Sequence, residues 1–198
     1  EGGGGACGGE MADDRLLARS DRFEFRTPSA ARDREMFALF NDADVMLPWL
    51  PQLCPMGWEA MKARRELHRA GIRSGESCCM DIVVAATATA DETGVESAAD
   101  GGRSTATRES SPVGTLVGTS GFRQVSNGVA EWGVVISKPW QRKGVCAEAW
   151  QSNVAFARDV LGCHTVTAAT LESNGPMRNF LEERQGLRCA EVVAAHGL

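Results

Sequence analysis

No tyrosine, only three histidines and no long apolar run occur in these 198 residues. A membrane-spanning helix needs about 18 or more consecutive apolar residues, and no apolar leader follows a basic start. The sequence therefore predicts a cytoplasmic protein with no membrane partner. His68, His164 and His196 lack metal-ligand spacing, so no metal site is expected. The net charge is −5, so direct nucleic-acid binding, which draws on excess cation, is not expected either. The seven cysteines (Cys7, Cys54, Cys78, Cys79, Cys146, Cys163 and Cys189) are odd in number, and none falls in a CxxC pair. They read as free thiols in a reducing compartment. The glycine-rich start, residues 1–10, lacks the lysine and hydroxyl of a phosphate-binding P-loop and carries no chemistry.

What is present suits one domain with a substantial core. Residues 1–20 are expected to be a flexible lead, with Met11 nearer the domain start, and residues 21–198 a single domain. Alternation in Phe23, Glu24, Phe25 and Arg26 predicts a strand over 23–27, and Ser29 caps a helix over 31–40. The apolar run 45–51, broken by Pro48 and Pro51, is either a loop packed on the core, the favoured reading, or the wall of a substrate cleft. A second helix is predicted over 58–70, where Lys62, Arg64, Arg65 and Arg69 imply a solvated face. Strands are predicted over 78–86 and 113–122. Between them, residues 87–111 hold Val95 as their only large aliphatic residue. Such a segment buries too little surface to offset ordering entropy, so a disordered insertion at a hairpin tip is expected. Ser126, Asn127 and Gly128 predict a hairpin turn. A strand over 165–170, a short helix over 177–185 and a last strand over 189–193 complete a mixed α/β sheet around one core.

The stretch 128–161 organises the rest. Residues 129–137 are apolar and β-branched enough for a strand, which Pro139 ends because proline cannot donate to a ladder. Gln141, Arg142, Lys143, Gly144, Val145 and Cys146 follow as a short basic loop. Ala147, Trp150, Val154, Ala157 and Leu161 then share one helical face. Strand, basic glycine loop and helix together suit an anion. First-turn N–H groups are unpaired, the helix dipole favours negative charge, and Gly144 permits close approach. Arg142 and Lys143 supply charge. The bland reading of the same residues is a tight turn with a solvated basic tip, and this stretch alone leaves both open.

These residues, in their order, resemble the GNAT superfamily of acyl-CoA N-acyltransferases, closest to the branch that acetylates the N-termini of ribosomal proteins. The branch's phosphate-loop motif matches Gln141-Arg142-Lys143-Gly144-Val145-Cys146. Glu148 with Ala149, Phe156, the hairpin residues 117–122 and 130–133, and Asn174 before a short helix also match. Upstream, residues 22–27 and 41–51 resemble the family's first strand and following turn; the resemblance covers roughly residues 21–193. It departs at Arg142, where the branch often has glycine, at Cys146 in place of a second small residue, whose bulk is expected to narrow the cradle, and at Met177 in place of serine. Leu187 replaces phenylalanine, and the tyrosine that many members use to protonate the leaving thiolate is absent.

The resemblance implies an α/β (α+β) fold. Its central sheet is mixed and mainly antiparallel, with flanking helices, and is splayed at the strand preceding the phosphate loop. It further implies acetyl-CoA as co-substrate, no metal, and acetyl transfer to a primary amine, either a protein N-terminus or a small molecule, by a monomer or homodimer. Backbone groups of Val135, Ile136 and Ser137 would pair with pantetheine, and residues 141–146 would hold the pyrophosphate. Asn174 would bond the pantetheine or the acceptor, its plainer reading being a turn asparagine. Glu131 stands where one branch keeps its general base; it is otherwise a strand-end glutamate. As a base it is expected to lie in a shielded cleft that raises its pKa. Two other classes stay open: a degenerate member that binds acyl-CoA as a sensor or scaffold, and a nucleotide-binding α/β module, which would need a glycine-rich loop after the first strand.

Overall fold

A computed structural model describes residues 13–86 and 112–192. Six strands form one sheet: β1 (Leu16–Arg19), β2 (Phe23–Arg26), β3 (Cys78–Val84), β4 (Leu116–Ser126), β5 (Val129–Ile136) and β6 (Thr165–Ala168). They lie side by side in chain order. The pairs from β1 to β5 are antiparallel, and β5 with β6 is parallel. The helices are α1 (Asp33–Phe40), α2 (Ala43–Met46), α3 (Trp58–Ser74), α4 (Val145–Asp159) and α5 (Gly175–Asn179), the last running into a π-turn over Phe180–Arg184.

Alternation along the strands gives the sheet two apolar faces. Phe23, Phe25, Met80, Ile82, Val117 and Trp132 meet Val145, Ala149, Trp150 and Phe156 of α4 on one face. Val83 and Leu116 meet Met36, Leu39, Phe40 and Met61 of α1 and α3 on the other. Each buried side chain of this size contributes about 1.5–3 kcal/mol. Trp132 and Trp150 pack edge to face at 5.0 Å, and the Trp132 indole donates to Asn153 Oδ1 at 3.0 Å. The Asn127–Gly128 turn has both residues at positive φ, 51° and 73°, which sets the β4–β5 hairpin as expected.

Several expectations are corrected. The lead contains a strand: β1 pairs with β2, with Leu17 and Ala18 against the core. Four residues are too few to show a period, and the backbone ladder decides; residues 1–12 lie outside the described residues. The run beginning at Val45 is no simple loop. Asp42 caps α2 by accepting from Asp44 N at 3.0 Å, and Val45 and Met46 are buried. α3 runs four residues past its expected end, to Gly75 at φ 77°. Its basic face is not uniformly solvated either. Arg65 is 1% exposed and reaches Asp81 of β3, itself fully buried, and Asp33 of α1. Arg32 also pairs with Asp81, at 2.9 Å. Removing one partner from such a buried cluster costs about 3–5 kcal/mol. The last strand is absent among the described residues through 192: no ladder forms there and Val192 is 72% exposed. The expected insertion, residues 87–111, lies outside the described residues.

Candidate functional site

Among the described residues, the sheet opens beside the second half of β5. β5 pairs with β4 from Val129↔Ser126 to Ile136↔Gly118. Its parallel ladder with β6 stops at Trp132↔Ala168. Beyond that point the stretch from Gly133 to Ile136 has a strand on one side only among the described residues, with Gly133 exposed. An unpaired strand edge can accept an extended partner through its N–H and C=O groups. Of the three residues expected to pair there, Val135 lies on the open stretch. Ile136 does too, but its carbonyl accepts from Gln141 Nε2 at 3.0 Å. Ser137 turns the other way: its N–H and its hydroxyl both donate to Val117 O, at 2.9 and 2.8 Å.

The open edge leads directly into a helix N-terminus. A 3-10 turn over Lys138–Trp140 ends β5, and Gln141 ties the loop back to that strand. Gly144, at φ 82°, is the N-cap of α4, and no side chain among the described residues caps that helix. Ala147 N–H donates to Gly144 O at 3.0 Å, and the turn's leading N–H groups, at Val145 and Cys146, are the ones an anion can take. Arg142 adopts φ 61°, a left-handed conformation that costs about 1–2 kcal/mol for a residue with a Cβ and explains why glycine suits this position. Arg142 and Lys143 are exposed, with Lys143 Nζ over the Trp140 ring. Val145 is buried. Cys146 packs against the core cluster, where burial pushes its thiol up to about 12.

Sequence reasoning missed the support of this loop. Glu148, on the first turn of α4, accepts from Ser20 Oγ at 2.8 Å and Arg22 Nε at 2.7 Å. Arg22 Nη2 then donates to Lys143 O at 2.7 Å. A Cβ on Gly144 would lie 3.2 Å from that same nitrogen. Arg22 and Glu148 are 126 residues apart, so no local pattern could have joined them.

Glu131 and Asn174 end in different surroundings. Glu131, on the sheet face that carries α1 and α3, pairs with Arg123 Nη2 at 2.5 Å. The expected shielded cleft is corrected: the carboxylate has a cation beside it, and Leu47 of the supposed wall is 49% exposed. Asn174 caps α5 by accepting from Met177 N at 3.2 Å, which its short side chain can do beside Pro176. This fits its plainer reading as a turn asparagine.

A family model described as an acetyltransferase (GNAT) domain matches residues 22–186. No curated protein sequence matches the chain. Among solved structures, the chain is similar to the acetyltransferase (GNAT family) from Bacillus anthracis, with TM-score 0.63 and 15% identity over 88% of this chain and 84% of that one. It is similar to an acetyl transferase from Salmonella typhimurium that modifies the N-terminal serine of the 50S ribosomal subunit protein L7/L12, with TM-score 0.60 and 11% identity over 86% and 83%. RimL, a ribosomal L7/L12 alpha-N-protein acetyltransferase in complex with coenzyme A, superposes with TM-score 0.61 and 12% identity over 86% and 82%. At such identities the likeness is one of fold.

Proposed function

Because this chain belongs to the GNAT acetyltransferase family, we propose that it transfers the acetyl group of acetyl-CoA to a primary amine, a protein N-terminus or a small molecule. The observation that carries this reading is the continuity of the open β5 edge with the uncapped N-terminus of α4. An extended amide-bearing arm fits the edge, and a pyrophosphate fits the helix end with Arg142 and Lys143 beside it. The thioester, when bound, supplies the acyl group.

The chain's own residues do the rest. The stretch from Gly133 to Val135 holds the arm by its backbone, and an N–H there stabilises the oxyanion that develops on the attacked carbonyl. Glu131, two residues upstream, takes the proton that the attacking amine must lose, directly or through one water. With no tyrosine in the chain, the leaving thiolate takes its proton from water or from the acceptor nitrogen, which carries an extra proton in the tetrahedral intermediate and stays bonded to the acyl carbon.

Gly144→Glu tests the cradle, since it places bulk and negative charge where the anion sits. Calorimetric titration should show that acetyl-CoA binding is abolished; unchanged affinity would end the reading. A second reading is a degenerate acyl-CoA binder that acts as a sensor or scaffold. The Arg123–Glu131 ion pair favours it, because it occupies the carboxylate that must accept the proton. Acetyl-CoA binding without thiol release to any amine would select it.

A further inference from the structure

The sheet face that carries α1 and α3 holds a cation without a counter-ion. α3 presents four arginines. Arg65 pairs with Asp33 and Asp81, Arg69 with Asp33 and Glu66, and Arg73 with Glu66. Arg64 has no carboxylate partner among the described residues. Its Nε is buried without a hydrogen bond, and its guanidinium lies over the Phe40 ring, 5.4 Å from the centroid. Nor do its neighbours supply the missing charge. Arg123 is a second cation and is already paired with Glu131. Cys79 is a thiol that burial pushes up to about 11, and His68, one turn along the helix, is pushed down to about 3 by burial and the arginines around it. Both are uncharged at neutral pH. Burial lowers the basicity of Arg64 itself, yet a guanidinium stays charged there. An unpaired, partly buried cation costs stability, and the chain carries that cost next to Arg123, the partner of Glu131 on β5. Cys79 is in register with Gly121, and Gly121 with Gly133, the first residue past the β6 ladder. Phe40 and Val135 belong to one apolar cluster.

Resting on the acetyl-transfer reading of this site, we propose that Arg64 anchors a carboxylate of the acceptor. The substrate is then an amine that also bears an acid group: a peptide with an acidic residue next to its free N-terminus, or a small amino acid. A guanidinium recognises a carboxylate with two parallel N–H bonds, and an amide of the same shape lacks the charge. Arg123 takes no direct part, because Glu131 already satisfies it.

The test uses matched acceptors: free-N-terminal peptides beginning Ser-Asp-Asp against Ser-Asn-Asn, and γ-aminobutyrate against its amide. Thiol release is followed in the full chain, in Arg64→Met and in Arg64→Lys, together with acetyl-CoA affinity and Tm. The expected result is a preference of about tenfold or more in kcat/KM for the acidic member of one pair. Which pair responds tells a peptide from a small acceptor. Arg64→Met should lose the preference with unchanged acetyl-CoA affinity and an equal or higher Tm, since an unpaired cation is removed. Arg64→Lys should keep part of it. Equal use of both members by the wild type, or a preference that survives in Arg64→Met, overturns the inference. Use of none of the four by a protein that binds acetyl-CoA does so as well, leaving the cofactor reading intact. Failure to bind acetyl-CoA at all sinks that reading, and this inference with it.

Discussion

The proposed chemistry rests on Glu131 as its proton acceptor. Glu131→Gln keeps the side chain's shape and removes the proton acceptor. Acetyl transfer should fall by ~10²-fold or more, while acetyl-CoA affinity holds, because the cradle lies on the loop and α4. Tm should change little, since the Arg123 partner is exposed and such pairs contribute only about 0–1 kcal/mol. Turnover by the variant at the wild-type rate across the pH range would leave Glu131 as a structural ion-pair member alone. His68 makes a separate prediction. Its folded pKa, about 3, lies below the ordinary histidine value of 6.5, with burial as the first cause and Arg64, Arg65 and Arg69 behind it. Between those values the unfolded chain binds the proton and the native state does not, so this contribution is complete above pH ~6.5 and is lost as pH falls. Urea titrations from pH 7 to pH 4 should show a shallower acid loss for His68→Gln than for the wild type. Parallel curves would remove His68 from the acid limb.

At the scale of elements, the basic loop before α4 is held by the β1–β2 turn as much as by its own sequence. Glu148 joins α4 to Ser20 and Arg22, and Arg22 reaches on to the Lys143 carbonyl. Glu148→Gln and Arg22→Met should each weaken acetyl-CoA binding several-fold. Each should cost about 1–2 kcal/mol of stability, the scale of charge-assisted bonds that remain partly exposed. Neither variant touches the acceptor face, so the choice among amines should be unchanged in both. Calorimetric titration beside thermal melts checks this; wild-type affinity in both variants would reduce the clamp to packing. The same clamp accounts for Arg142 at positive φ. A loop fixed at Gln141 by Ile136 O and at Lys143 by Arg22 leaves the residue between them little choice of conformation.

Over the whole molecule, the sheet and its two helical layers close around the Arg32–Asp81–Arg65–Asp33 cluster and two apolar clusters, all formed by described residues. Val84 and Gly114 already meet through Gly114 N to Val84 O at 2.9 Å, so β3 and β4 can be joined directly. Replacing residues 87–111 with a short Asn-Gly turn should leave Tm and acetyl-CoA affinity unchanged. A large loss of either would show that the segment contributes to the core or the site. The sequence alone was sufficient for the elements whose cause is local: the β4–β5 turn at Asn127 and Gly128, the stop at Pro139, the face of α4, and the basic loop set between strand and helix. Those depend on φ preferences and on hydrophobic period, which neighbouring residues carry. β1, the buried state of Arg65, the clamp from Arg22 to Glu148, and the pairing of Glu131 with Arg123 were decided only by tertiary structure. A four-residue strand exists by its ladder, and a charge is buried or exposed according to the partners brought to it. The open edge on β5 exists because the β6 ladder ends at Ala168 while β5 runs on to Ile136, a mismatch between strands that no stretch of sequence contains by itself.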